Sequence, residues 1–178
     1  VSMWIAPDSP PAPAGLPAHR HGRPGCCRFA RHAESGFFPA APGGPAVQRG
    51  LQRLAPVYDA VERIKAAIPN DIALIGFCGG PWTVSTYMLQ GHGGEKERAR
   101  RAIYERPGDV DALLEILVEM SAQHLAAQVK AGADCLQIFE SWSEGLSPAQ
   151  FQRVIIGPTQ KFVKRVRELG VTVPIIGF

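Results

Sequence analysis

The sequence lacks any run of 18 or more apolar residues, so it contains no candidate for a membrane-spanning helix. It also lacks the glycine-rich signatures of nucleotide binding, since neither G-x-G-x-x-G nor G-x-x-x-x-G-K-S/T follows any predicted strand. Basic residues form no cluster beyond residue 50, where 14 lysines and arginines face 14 acidic residues. We therefore expect no membrane, nucleotide or nucleic-acid partner. The alternating charges around Lys96 are typical of a solvated helix face.

Cysteine is scarce, with four residues among 178. No two cysteines form a C-x-x-C pair, and the five histidines have no ligand spacing with them, so the sequence predicts no metal site. Cys78 and Cys135 lie in or beside strand-like runs, where a reduced core thiol is the common situation. Because free thiols persist in reducing compartments, we expect the protein to be cytoplasmic.

The composition of the chain changes near residue 50. Proline, glycine and alanine make up half of residues 1–50, which show neither helical nor strand periodicity. Such a composition buries too little apolar surface to offset the entropy of the chain, so residues 1–50 are predicted to be disordered or aberrant. A flexible arm that binds an acidic partner through its arginines is the alternative. Residues 51–178 are predicted to form the folded domain.

Helical and strand-like patterns alternate along residues 51–178. Apolar spacing predicts five helices, near 53–68, 82–90, 96–104, 110–131 and 148–169. Apolar runs predict three strands, at 72–77, 134–139 and 172–178. Asp109 and Ser147 are the expected caps of the last two helices, and Pro158 is expected to kink the last one. Such alternation indicates parallel strands, in either a doubly wound sheet or a (β/α) barrel.

Aromatic and hydroxyl side chains come at the ends of two predicted strands. The first strand ends in "GFCGGPWTVSTYM", and the second ends in "FESWSEGLSP". Because the carboxyl ends of parallel strands meet at one edge of a sheet, functional residues are expected there. The glycines at the first exit would let a large flat ligand approach the backbone closely.

Three blocks of residues 51–178 resemble uroporphyrinogen decarboxylases in their order and spacing. They are "RLAPVYDAVERIKAAIPNDIALIGFCGGPWTVSTYMLQG", "AAQVKAGADCLQIFESWSEGLSP" and the closing "VPIIGF". The resemblance implies an α/β fold, namely part of a (β/α)8 TIM barrel roughly twice as long as this chain. Residues 1–50 do not share the resemblance.

The resemblance also implies an activity for the complete enzyme. The family removes carboxyl groups from the four acetate side chains of uroporphyrinogen III, giving coproporphyrinogen III in haem and porphyrin biosynthesis. The expected partners are this small-molecule substrate and a second subunit, since the full-length family forms homodimers. No cofactor or metal is implied, because a protonated pyrrole can serve as its own electron sink.

Two residues correspond individually to substrate-binding positions of the family. Tyr87 matches an active-site tyrosine, whose phenol can donate to a carboxylate while its ring packs on the macrocycle. Ser141 matches a substrate-binding serine or threonine. From the residue patterns alone, Tyr87 could equally be a core tyrosine, and Ser141 could be an ordinary loop residue.

Four neighbours of these residues are weaker candidates. Phe77, Gly79 and Trp82 are candidate pocket-lining residues, although packing in the core explains them equally well. Glu140 occupies an acidic position of the family, where it could act in catalysis or orient the loop. His124 lies on an apolar helix face, where we expect a hydrogen-bonded core histidine.

No catalytic residue of the family can be assigned in this sequence. Its R-Q-A-G-R arginine motif and pyrrole-binding aspartate are absent from residues 1–50, and its active-site histidine would lie beyond residue 178. We therefore expect this chain alone to be inactive. The alternatives are a catalytically dead fragment or pseudo-enzyme, and a related corrinoid or thiol methyltransferase of the same fold. The sequence lacks the zinc-ligand spacing of those methyltransferases.

Overall fold

The computed structural model describes residues 44–91 and 96–178. The helices are α1 (Pro45–Ala67), α2 (Pro81–Gln90), α3 (Glu97–Glu105), α4 (Pro107–Lys130), α5 (Pro148–Phe151) and α6 (Gly157–Glu168). The strands are β1 (Ile75–Gly79), β2 (Cys135–Phe139) and β3 (Ile175–Gly177), and a π-helical turn (Gln152–Ile156) joins α5 to α6. Disorder was predicted for residues 1–50, and residues 1–43 of that segment lie outside the described residues.

The three strands form one parallel sheet in the order β1-β2-β3. Helices α2 to α4 connect β1 to β2, and helices α5 and α6 connect β2 to β3. This arrangement confirms the predicted α/β class and the parallel pairing. The register places Gly79 opposite Phe139, so the first two strands end side by side.

One face of the sheet packs against helices α4 and α6. Leu136 and Ile138 of β2 contact a cluster that includes Leu125, Phe162 and Val166. Full burial of one such side chain contributes about 1.5–3 kcal/mol relative to its exposure. Because side chains alternate along a strand, every second residue lies on the opposite face of the sheet. The exposed apolar residues Ile75, Ile176 and Phe178 lie on that face.

A second apolar cluster supports the helix that follows β1. Trp82 of α2 packs there with Ile103 of α3, Val110 and Leu114 of α4, and Val154 of the π-helical turn. The indole of Trp82 is 1% exposed, so it anchors the first turn of α2. The carboxyl end of β1 is thereby connected to a buried, well-packed helix.

Two helices begin earlier than the sequence predicted. Helix α1 starts at Pro45 rather than at residue 53, and its buried Val47 lies within the segment whose composition predicted disorder. Helix α4 starts at Pro107, and the predicted Asp109 cap is wrong because Arg106 precedes the first turn and makes no side-chain cap bond. In both cases a proline opens the helix, where its missing N–H has no intrahelical partner to lose.

Strand β1 begins three residues later than predicted. The carboxylate of Asp134 accepts a hydrogen bond from the backbone N–H of Leu74 at 2.7 Å and forms an ion pair with Lys65. The carbonyl of Leu74 accepts from Asp134 N, at 2.8 Å, before the ladder starts at Ile75. The N–H of Leu74 thus bonds to the side chain of Asp134 instead of to the backbone of a neighbouring strand.

The predicted long helix over residues 148–169 is interrupted by the π-helical turn. Ser147 caps its start as predicted, since its hydroxyl accepts a hydrogen bond from Gln150 N at 3.4 Å. Pro158 has no N–H and its ring crowds the carbonyl four residues earlier. A π-helical turn before the proline accommodates this conflict within a nearly continuous helix.

A chain of polar side chains connects α1 to the edge of β1. Gln128 donates to the carbonyl of Phe77 and accepts from its N–H, both at 3.0 Å, which sets the orientation of the amide. The second N–H of that amide faces Nε2 of His124 at 3.0 Å, so this nitrogen must be the unprotonated one. His124 Nδ1–H therefore donates to the hydroxyl of Tyr58, at 3.0 Å. The expected hydrogen-bonded core histidine is confirmed.

This network predicts that the protein loses stability as His124 becomes protonated. Burial lowers the pKa of His124 below its ordinary value, so between about pH 6.5 and the folded-state pKa the unfolded chain binds more protons. The free energy of unfolding should fall as the pH drops through this range. The measurement is urea denaturation at several pH values between 8 and 5.

The matched control is His124→Gln, which cannot titrate at this position. The variant should be less stable at pH 8 but should lose less stability on acidification than the original protein. Equal pH dependence in both proteins would contradict the role assigned to His124.

Candidate functional site

The exits of strands β1 and β2 lie side by side at the carboxyl edge of the sheet. Gly80 N donates a hydrogen bond to the carbonyl of Phe139 at 2.7 Å, which holds the two exits together. The first exit enters α2, which carries Tyr87, and the second enters the β2–α5 loop, residues 140–147, which carries Ser141. The structure thus brings together the two segments that the sequence singled out.

Glu140 holds the first turn of helix α2. Its carboxylate accepts hydrogen bonds from the backbone N–H groups of Thr83 at 2.6 Å and Trp82 at 3.3 Å. These donors belong to the first helical turn, which has no intrahelical acceptors and attracts negative charge. The arrangement favours the interpretation of Glu140 as a residue that orients the loop.

Burial and hydrogen bonding act in opposite directions on the Glu140 carboxyl. Burial raises its pKa, while bonds from Thr83 and from the backbone of Trp82 oppose that rise. The carboxylate lies directly against Gly80, and a Cβ atom there would clash with Glu140 Oε2. This close approach explains why a glycine directly follows β1, a reason that differs from the predicted approach of a ligand.

Trp142 fastens the β2–α5 loop to helix α2 at three further points. Its backbone N–H donates to Thr83 Oγ1 at 3.3 Å, and its carbonyl accepts from Trp82 Nε1 at 3.0 Å. Its own indole N–H donates to the hydroxyl of Tyr87 at 3.0 Å. The two rings meet edge to face, with centroids 6.2 Å apart. Sequence reasoning did not select Trp142, although its position directly after Ser141 was an available signal.

Lys96 adds a positive charge to this aromatic pair. Its Nζ lies 3.9 Å from the ring centroid of Trp142 and 4.8 Å from that of Tyr87, within range of cation–π attraction. Lys96 is 5% exposed, so the predicted solvated helix face was wrong at this residue. The local charge pattern could not show that the chain folds back over two aromatic rings.

The other candidate residues lie in different environments. Tyr87 is 46% exposed and Ser141 is exposed, so both are accessible at this edge. Gly79 is half-buried, and a Cβ there would lie 2.8 Å from Val84 Cγ2. Trp82 is buried in the second core cluster, which favours its packing role.

Phe77 belongs to a row of three aromatic rings that runs across the strands. Its ring contacts that of Phe139 edge to face, with centroids 5.9 Å apart. Phe139 in turn contacts Phe178, with centroids 5.5 Å apart. One phenylalanine comes from each strand or its end, and the three rings form an apolar row on one face of the sheet.

Among the described residues, the two thiols, of Cys78 and Cys135, show no sign of chemistry. Burial raises the pKa of Cys78, so its thiol stays protonated, and Cys135 is also unpaired. Within residues 44–91 and 96–178, no three His, Cys, Asp or Glu side chains lie close enough together to bind a metal ion. In the same residues, no helix is both long and apolar enough to cross a membrane.

Comparison with known proteins identifies similar chains. The profile of the uroporphyrinogen decarboxylase family matches residues 44–178. A protein of Hyphomonas neptunium named uroporphyrinogen decarboxylase is 49% identical over 132 residues, which cover 74% of this chain and 38% of that protein. A protein of the same name from Phenylobacterium zucineum is 48% identical, over 74% of this chain and 38% of that protein. Another, from Caulobacter vibrioides, is 45% identical, over 70% of this chain and 36% of that protein. The chain spans less than two fifths of the length of these relatives.

The contacts of Glu140 predict a stability effect. Glu140→Ala would leave the buried N–H groups of Trp82 and Thr83 without acceptors, which costs about 1–3 kcal/mol of unfolding free energy. Glu144→Ala is the matched control, because this glutamate lies in the same loop with an exposed side chain and should change stability by less than about 0.5 kcal/mol. Chemical denaturation measures the unfolding free energy of both variants. Equal losses of stability would contradict the role of Glu140 at the first turn of α2.

Proposed function

The chain belongs to the uroporphyrinogen decarboxylase family, and from this premise we propose that the whole protein decarboxylates uroporphyrinogen III to coproporphyrinogen III. The observation that carries the proposal is the meeting of Tyr87 and the Ser141 loop at the ends of β1 and β2. We also propose that the three strands are part of a (β/α)8 barrel, whose remaining strands would continue this parallel sheet.

The reaction needs a proton donor more than it needs a cofactor. Protonation of the ring α-carbon next to the carbon that bears an acetate group leaves that carbon conjugated with the positively charged ring nitrogen, so the ring becomes an electron acceptor. The bond to the carboxylate then breaks, its electron pair enters the ring, and carbon dioxide leaves. Protonation of the resulting exocyclic methylene and loss of the ring proton restore the pyrrole with a methyl group. Four repetitions convert the four acetates.

The described residues suit the binding part of this task. The row formed by Phe77, Phe139 and Phe178 offers an apolar surface for a macrocycle. Tyr87, on the helix that follows β1, offers a hydroxyl, and the ammonium of Lys96 lies over its ring. The R-Q-A-G-R motif is absent from this sequence, so the further groups that bind carboxylates and stabilise the cationic ring would come from other parts of the whole protein.

We propose that the whole protein acts in the cytoplasm as a homodimer, without a cofactor or a metal. The two free thiols, Cys78 and Cys135, agree with a reducing compartment. The dimer is carried over from the family resemblance alone. Uroporphyrinogen III is the proposed small-molecule partner.

Removal of the Tyr87 hydroxyl tests the proposed site. In the protein with its complete barrel, Tyr87→Phe should lower kcat/KM for uroporphyrinogen about tenfold, because a hydrogen bond to a carboxylate is lost. The Tm should hardly change, since the ring is half exposed. Tyr104→Phe, at an exposed tyrosine of α3, is the control and should behave like the original protein. An unchanged kcat/KM in Tyr87→Phe would make Tyr87 a packing residue.

Chelation distinguishes the proposed decarboxylase from a related methyltransferase. Activity measured anaerobically on uroporphyrinogen should survive EDTA, because the proposed mechanism uses no metal. Loss of activity that zinc restores would favour the methyltransferase interpretation.

A further inference from the structure

The hydrogen bond between Trp142 and Tyr87 has a defined direction. An indole N–H can donate but cannot accept, so the hydroxyl oxygen of Tyr87 is the acceptor in this 3.0 Å contact. The phenol has one proton of its own, which must therefore point away from Trp142. Tyr87 is thus prepared to donate a hydrogen bond to a third group.

The position of the Trp142 indole is set by the backbone on both sides of it. The N–H and the carbonyl of Trp142 are both hydrogen-bonded to helix α2, through Thr83 Oγ1 and Trp82 Nε1. Glu140, two residues earlier, holds the first turn of the same helix. Because Tyr87 also lies on α2, donor and acceptor are attached to one packed unit, and little freedom is lost when they pair.

The surroundings favour a negatively charged acceptor for the Tyr87 proton. The ammonium of Lys96 lies over both rings, 4.8 Å from the centroid of Tyr87 and 3.9 Å from that of Trp142, so a cation lies next to the phenol. Tyr87 and Trp142 are 46% and 37% exposed, so a ligand can reach the hydroxyl. A carboxylate matches both features, because it accepts hydrogen bonds and is attracted by the cation.

We propose that Trp142 is a positioning residue, which fixes the hydroxyl of Tyr87 as a hydrogen-bond donor to a carboxylate of the substrate. This inference rests on the proposed function and adds a residue that acts through another one. Ser141, its neighbour, would contact the substrate directly, whereas Trp142 would act on the phenol.

A double-mutant cycle in the protein with its complete barrel tests this inference. The four proteins are the original, Trp142→Phe, which keeps an aromatic ring but lacks the N–H, Tyr87→Phe, and the double variant. Trp142→Phe should lower kcat/KM for uroporphyrinogen about three- to tenfold, the usual effect of one hydrogen bond. In the Tyr87→Phe background the same substitution should have no further effect.

Two results of the cycle would overturn the inference. One is a kcat/KM of Trp142→Phe equal to that of the original protein. The other is a double variant whose loss is the product of the two single losses, since independent effects would show that Trp142 does not act through Tyr87. A loss of packing alone would appear as a lower Tm and would persist in the Tyr87→Phe background.

A second measurement does not depend on catalysis. With ¹⁵N-labelled tryptophan, the indole N–H resonance of Trp142 should move upfield in Tyr87→Phe, because its acceptor is gone. An unmoved resonance would overturn the inference even in an active enzyme. A different result would overturn the proposed function instead. In that case the original protein does not decarboxylate uroporphyrinogen, although its Trp142 resonance differs from that of Tyr87→Phe. The substrate carboxylate would then also be the wrong acceptor.

Discussion

The carboxylate of Glu140 on the first turn of helix α2 is the interaction on which the candidate site depends. It joins the end of β2 to the helix that follows β1, and it satisfies two backbone donors that would otherwise be buried without partners. The contact requires Gly80, because any side chain at that position would occupy the space of the carboxylate. Tyr87 and Ser141 lie on the two segments that this bond connects.

The loop and the helix reinforce each other through bonds of different kinds. The backbone of Trp142 is held on both sides, and its indole then meets Tyr87 in a geometry that the backbone dictates. Lys96, from the start of α3, covers the pair with its ammonium. Trp82, which donates to the carbonyl of Trp142, is buried in the second core cluster, so these polar contacts are attached to a packed apolar core. A site assembled in this way is preorganised, because its donors are oriented before a ligand arrives.

Much of the fold could be predicted from the sequence, because apolar spacing reflects the side that each element buries. The alternation of strands and helices, their parallel pairing and the cap at Ser147 were all predicted. The errors lie at boundaries. Helices α1 and α4 begin earlier than predicted, at Pro45 and Pro107, and Leu74, predicted to lie within a strand, bonds to the side chain of Asp134. These outcomes depend on partners that are distant in sequence.

For the site, the sequence by itself determined which residues are present at the strand ends, and the resemblance of its motifs pointed to Tyr87 and Ser141. The tertiary structure decided how they are used. Lys96 was predicted to be a solvated charge and Trp142 was not selected from the sequence, yet the fold brings both against Tyr87. The physical reason is that apolar periodicity records burial along one element, whereas a hydrogen bond or a cation–π contact depends on the distance between atoms of different elements. That distance is set only when β1 and β2 pair and Glu140 binds the first turn of α2.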